Sequence, residues 1–381
     1  PQLGPRQFLH SGPPIDWARM SGAQKGAVAC AIQYEGWADS ADAAFALAAS
    51  GGITLAPNHH FGGVGPMAGV VSPNMPVFCV EDAPTRRRAY AALEEPRMNF
   101  GAHDEAALAL RRQWRDELAP TLDYAVKRAG GLDLAPIIAK GLHRGDEMHN
   151  RPAAATSLML LELMPHWLES DLPRDRLRRV VEFIHADEIF FLSLSMAYSK
   201  LTADLGHGVE HSSIVTAMAR NGTDFGIRVS GLGDEWFVGP SPVAKGLFLP
   251  GYGEEDAGND MGDSAITETI GLGGFVLPAA PAILEMVGAT AAQAFAWARE
   301  MREITVADHR AFTLPILDFQ AARLGIDVRR VVDTGILPII DTAIAHKEPG
   351  HPIIGAGMTR PPMGAFIGAL EALAAKEGVA A

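Results

Sequence analysis

His143, Arg144, Asp146, Glu147, His149, Asn150 and Arg151 fall within nine consecutive positions. Solvated faces are rich in Lys and Glu and lack this mixture. Such groups are costly to bury unless they are paired or hold a ligand. Imidazole and carboxylate can move protons, and guanidinium recognises planar anions in two-point fashion. On a helix, His143 and Glu147 lie four apart, and Asp146 and His149 three apart, so each pair shares a face. That spacing suits a metal, or a histidine held in one tautomer by a carboxylate. Gly145 weakens such a helix, however, and the Asn150-Arg151-Pro152 step ends it. The stretch therefore straddles a helix end and the start of the next helix, where anions bind well. Catalysis or substrate binding, a structural ion-pair knot and a metal site all remain open. Because Arg144 and Arg151 interleave with the would-be ligands and repel a cation, the leading expectation is an anion site with no metal ligand.

Other polar stretches lie far from this one. Asn58-His59-His60 follows a short apolar strand and precedes a Gly-rich loop, a common ligand position in α/β folds. Adjacent residues of an extended segment point to opposite sides, so one of the two imidazoles is expected at a site. Asn221, Thr223 and Asp224 form a polar turn before a strand that carries Arg228, with Asx turns as the alternative reading. Asn259 and Asp260 belong to the acidic, flexible run 251–263. That run lacks EF-hand spacing and reads as a lid or intersubunit loop. Asp263 is then expected to cap a helix over 264–270, closed by Gly271-Leu272-Gly273-Gly274. The chain has no G-x-S-x-G, H-E-x-x-H, C-x-x-C or Walker A motif.

These residues sit in a chain of 381, of which 48% are hydrophobic and 20% charged, a composition that folds into two or three domains with sizeable cores. The formal net charge of -13 argues against a nucleic-acid partner. It also requires local arginines to reverse the field around any anionic substrate. Cys30 and Cys79 read as buried reduced thiols of a cytoplasmic protein. No signal peptide is visible, and no apolar run reaches the roughly 20 residues that span a bilayer.

The elements that must position the polar residues follow from periodicity. The spacing predicts helices over 23–38 and 39–50, the latter capped by Asp39 or Ser40, and strands over 53–56 and 76–80. From 108 to 128, Leu110, Trp114, Leu118, Leu122 and Ala125 form one apolar stripe, and helices continue over 134–144, 153–168 and 174–201. A helix is expected over 209–220. Strands over 225–230 and 235–238 are joined by a turn at 231–234, and late helices span 289–301 and 363–375. The fold class expected is α+β: a mixed α/β body with a mainly helical inserted domain. Residues 1–100 form the α/β part of the body, 101–205 the helical domain, and 206–381 the α+β part that completes the body.

Several stretches together resemble a known family. They are Leu9-His10-Ser11-Gly12-Pro13-Pro14-Ile15, Tyr34-Glu35-Gly36-Trp37-Ala38, Gly65-Pro66-Met67-Ala68-Gly69-Val70-Val71-Ser72-Pro73, Leu142 to Arg151, Asn221 to Gly226 and Asn259 to Ser264. In that order, along nearly the whole chain, they are similar to the bacterial family catalogued as YlbE-like proteins. The resemblance implies a subunit of a carbamoyltransferase-type enzyme, since the family includes a subunit of oxamate carbamoyltransferase. That enzyme turns oxalurate and phosphate into oxamate and carbamoyl phosphate during allantoin degradation, a part of purine catabolism. The resemblance also implies a further N-terminal segment ahead of Leu9, a succinyl-CoA synthetase α-like partner and a smaller third subunit. The chain is further expected to form a homo-oligomer and to have no nucleic-acid or membrane partner.

No set of catalytic residues comes with the resemblance, so roles follow from the residues themselves. Phosphorolysis of a carbamoyl–amide bond needs an anion site, donors for the carbonyl oxygen and an acid for the leaving nitrogen. The catalytic candidates are His143, His149, His59, His60, Asp146 and Glu147. The substrate-binding candidates are Arg144, Arg151, Asn150, Asn58, Asn221, Thr223, Asp224, Arg228, Asn259 and Asp260. No cofactor is expected, with phosphate as co-substrate and a divalent cation as the alternative. Two further readings stand beside this one: a non-catalytic scaffold or binding subunit, and an amidohydrolase acting on a related ureido acid.

Overall fold

The computed structural model describes residues 1–93 and 96–378. Its elements are α+β, with small sheets distributed among helices. Gln7–His10 pairs in parallel with Thr54–Pro57, which brings the 9–15 and 58–65 loops side by side. Val215–Asn221 and Asp224–Val229 form an antiparallel hairpin, extended by Phe237–Pro240 on one edge and Met261–Gly262 on the other. Ile340–Ala345, Ile353–Thr359 and Lys245–Phe248 make a third, antiparallel sheet.

Every residue in secondary structure between 105 and 205 is helical. The predicted stripe is the buried one: Trp114, Leu118, Leu122 and Ala125 face the core. A wide turn over Trp114–Leu118 keeps them in line before the helix ends at Gly130, which is left-handed at φ 75°. These helices share one apolar core with Val215, Met218, Phe225 and Ile227 of the central hairpin. Leu192–Leu205 lies at the junction, packed against the strands Arg88–Ala92, Val77–Glu81 and Val215–Asn221.

Three local expectations fail for physical reasons. Residues 215–221 form a strand, not a helix, and all seven are buried. A strand covered on both faces has no polar alternation to reveal it. The 174–201 helix breaks into Arg174–Ala186 and Leu192–Leu205, because the Asp187 carboxylate accepts the Ile189 N–H at 3.1 Å and turns the chain. Cys79 is exposed, not buried, whereas Cys30 is buried. Among the described residues, no helix is long and apolar enough to cross a membrane.

Candidate active site around His149 and its buried carboxylates

The turn between the helices Leu134–Leu142 and Ala153–Leu168 carries the polar cluster read from the sequence. Gly145 at φ 97° and Met148 at φ 78° bend it back on itself. This divides the cluster. Asp146 turns toward the second helix and accepts the N–H groups of Ala154 and Ala155 at 3.0 and 2.8 Å and Arg151 Nη1 at 3.0 Å. It satisfies orphan donors at a helix start. Glu147 turns inward and accepts the backbone N–H groups of His149 at 2.8 Å and Arg151 at 2.5 Å.

His149 meets two carboxylates brought from far along the chain. Its Nδ1 lies 2.9 Å from Glu268 Oε1 and 3.5 Å from Asp341 Oδ1, and all three side chains are buried. Glu268 also accepts the Gly274 N–H at 3.0 Å and the Thr267 hydroxyl at 2.9 Å. Asn150 Nδ2 reaches Asp341 Oδ2 at 3.4 Å. The glycines at 271–274 do not merely close a helix. They fold backbone around Glu268, and a Cβ on Gly273 would sit 2.1 Å from its Oε1. Burial pushes the Asp341 carboxyl up to about 8 and raises Glu268, and it drives Glu147 well above the usual range, with the Asp341 charge adding to the last. Burial also lowers the His149 imidazole, which favours its neutral form.

Behind this group, Arg220 grips Asp260 and donates to Ser264 Oγ at 3.2 Å and Thr342 Oγ1 at 3.0 Å. Ser264, Thr342, His149 and Asn150 form the polar end of a cavity of about 490 Å³, whose remaining walls include Phe78, Leu93, Phe100, Trp114 and Phe190. A neutral imidazole at the end of an apolar cavity, anchored through one nitrogen, can bind a polar atom of a small molecule through the other. No other described residue hydrogen-bonds His149 Nε2.

A second polar centre lies around Asp263, whose carboxylate accepts Gly12 N at 2.8 Å, Gly65 N at 3.0 Å and Asn58 Nδ2 at 2.9 Å. His59 Nε2 stands 3.4 Å from it. Asp263 is thus a tie between three loops and not a helix cap. Nearby, buried Lys200 pairs with Asp204, and Arg228 contacts Asp234, His207 and the Trp236 ring.

Comparison with known proteins agrees along nearly the whole chain. The sequence model of the family described as "Oxamate carbamoyltransferase subunit AllG" matches residues 53–264. The protein of that name from Escherichia coli K12 is 44% identical over 379 residues, covering 98% of this chain and 90% of its own length. The chain belongs to the oxamate carbamoyltransferase subunit AllG family. A second E. coli K12 protein, "Uncharacterized protein YahG", is 43% identical over 369 residues, covering 96% of this chain and 78% of its own. The crystal structure of a conserved protein of unknown function from Enterococcus faecalis V583 superposes with a TM-score of 0.96 at 44% identity, over 98% of this chain and 91% of that one.

On this AllG-family fold, the residues singled out from sequence scatter. His149 and Asn150 line the cavity, and Glu147 stands directly behind. Asp146 and Arg151 serve the helix start. His143 and Arg144 are exposed and line no part of the cavity; His143 Nε2 bonds to Thr313 O at 3.1 Å. Asn58, His59, His60 and Arg228 gather in the second centre, where His60 Nε2 accepts the Trp236 indole N–H at 2.8 Å. Asn221 forms the Asx turn, accepting Thr223 N and Asp224 N at 3.0 and 2.7 Å. Gly222, at φ 80°, lies in the turn of this hairpin. Thr223 bonds Arg19 O, and Asp224 pairs with the Arg19 side chain. Asn259 is exposed, and Asp260 is consumed by Arg220. Sequence reading missed Glu268, Asp341, Arg220, Ser264 and Thr342. For Asp341 a signal exists, a lone acid inside the apolar run Ile339-Ile340-Asp341-Thr342-Ala343.

Proposed function

We propose that this chain provides the carbamoyl-transfer site of an oxamate carbamoyltransferase-type complex, with His149 acting at the polar end of the cavity. The observation that carries the reading is the anchoring of His149 Nδ1 by Glu268 while the same ring lines the cavity. In this reading, Nδ1–H is held by Glu268, and the unprotonated Nε2 of the neutral ring takes up the phosphate proton on its way to the leaving nitrogen. Phosphate oxygen bonds to the carbamoyl carbon, the carbon–nitrogen bond to oxamate breaks, and the phosphate proton passes to the leaving nitrogen. Carbamoyl phosphate and oxamate result. Asn150, Ser264 and Thr342 orient the substrate, the last two hydroxyls being themselves fixed by Arg220.

A second reading has its own support. Leu247, Leu249, Met286 and Ile189 line the cavity and are exposed. Such an apolar mouth fits a binding subunit that accepts a partner's side chains. Phosphate-dependent release of oxamate from oxalurate, assayed on the chain alone and with its partner subunits, separates the readings. His149→Asn is expected to lower kcat by about 100- to 1,000-fold with assembly intact. Full activity of His149→Asn in the assembled complex would leave the binding-subunit reading. Phosphate-independent turnover would point instead to hydrolysis.

A further inference from the structure

We propose that His149, Glu268 and Asp341 bind a divalent first-row transition-metal cation, with Glu147 beside it. Ligand atoms of the three side chains all lie within 4.8 Å of one another. The Nδ1 separations of 2.9 Å to Glu268 and 3.5 Å to Asp341 match the edges, about 3.0–3.4 Å, of an octahedron or tetrahedron with metal–ligand bonds of ~2.1 Å.

The second, independent observation is Asp341 Oδ1. It is fully buried, faces His149 and receives no N–H or hydroxyl from the described residues, its other neighbours being the Glu268 and Glu147 carboxyls. Buried carboxylate oxygens rarely go unsatisfied, and an orphan calls for an ion or other ligand.

Charge points the same way. Glu147, Glu268 and Asp341 all have no solvent exposure. Glu147 and Glu268 accept N–H and O–H donors, which a bound cation would join in holding them ionised against burial. The nearby guanidinium, Arg220, is already taken by Asp260. A cation bound there would displace the protons that burial favours on these carboxyls and supply the missing positive charge. Arg144 and Arg151, which from sequence argue against a cation, are out of the way: one is exposed and the other bonds Asp146.

One imidazole with carboxylates suits Mn²⁺, Fe²⁺ or Zn²⁺ better than the all-oxygen preferences of Mg²⁺ or Ca²⁺. The supporting contacts of a metal site are also present. Thr267 and Gly274 hold Glu268, and Asn150 holds the second oxygen of Asp341. Gly273 leaves the room, since a Cβ there would also lie 3.1 Å from Asp341 Oδ1.

Binding tests this site without reference to carbamoyl transfer. His346, Glu348 and His351 form a second, more exposed cluster of metal-ligating groups, so the full-length chain is first silenced there by His346→Ala and His351→Ala. After chelator treatment it is titrated with Mn²⁺, and separately with Zn²⁺, by calorimetry. The expected result is one equivalent bound, with affinity about 100-fold weaker or worse in Asp341→Asn and Glu268→Gln. No stoichiometric binding of either ion, or unchanged affinity in both variants, overturns the proposal. Should either variant fail to fold, anomalous diffraction from a Zn²⁺-soaked crystal of the unsubstituted chain decides. An ion between His149, Glu268 and Asp341 is required, and density only elsewhere rejects the site.

Discussion

The Arg220 guanidinium holds the Asp260 carboxylate by two hydrogen bonds, Nε to Oδ2 at 2.7 Å and Nη2 to Oδ1 at 3.0 Å, and neither side chain touches solvent. The pair sits between the central hairpin and the sheet that carries Asp341, and its remaining donors reach Ser264 and Thr342 at the cavity. Breaking one side leaves an uncompensated buried charge. Arg220→Met is expected to cost about 3–5 kcal/mol, read from urea denaturation. The double variant Arg220→Met/Asp260→Leu should recover much of that loss, because no charge is stranded. A single variant as stable as the double would contradict the pairing.

Asp263 should behave as a fastener. Its two oxygens receive three N–H groups, from Gly12, Asn58 and Gly65. Asp263→Asn keeps the shape but turns an NH₂ toward donors. The expected loss is roughly 1.5–3 kcal/mol, on the scale of one charge-assisted hydrogen bond. Faster amide exchange at Gly12 and Gly65 would localise it. Unchanged exchange at both would rule out the fastening role.

Two left-handed glycines separate backbone strain from crowding. Gly130 has φ 75° with nothing near an added Cβ, whereas at Gly273, φ 57°, the Cβ would meet Glu268 Oε1 at 2.1 Å. Gly130→Ala should cost about 1–2 kcal/mol from backbone conformation alone. Gly273→Ala should cost clearly more and displace Glu268 from His149. Equal thermal shifts for the two variants would show that the carboxylate cluster yields freely.

The pH dependence of stability has an identifiable contributor. His309 stacks on Phe312 with ring centroids 4.0 Å apart, and burial depresses its imidazole from 6.5 to about 4. The unfolded chain therefore takes up a proton near pH 6.5 that the folded chain refuses until near pH 4. The contribution is complete above pH 6.5 and is lost as pH falls toward 4. His309→Phe removes this uptake, so its melting temperature should fall less steeply than the parent's between pH 7 and 4. Parallel curves would assign the acid sensitivity to other groups.

Legibility in the sequence followed range. The stripe of Trp114, Leu118, Leu122 and Ala125 is a local pattern, and it marks the buried side of its helix. Mixed chemistry at 143–151 drew attention to His149, because seven polar groups in nine positions are visible without a fold. The partners that give His149 its character are not visible in that way. Glu268 is 119 residues away, and Asp341, a lone acid in an apolar strand, signals its burial but not its partner. Arg144 shows the converse, since a residue adjacent to the site in sequence points into solvent once Gly145 and Met148 turn the chain. The strand at 215–221 escaped detection because burial on both faces erases the period-two pattern.

The reach of Asp263 bears on the order in which the molecule can be built. Its bonds to Gly12, Asn58 and Gly65 span 251, 205 and 198 residues. On the ribosome, the N-terminal loops are made first, and their donors must wait for residue 263 to emerge before they are satisfied. Contacts of such separation slow folding and prolong the exposure of unfinished surface. Nascent chains stopped before Asp263 should therefore lean on chaperones, while chains released after it can lock the first sixty-five residues in place.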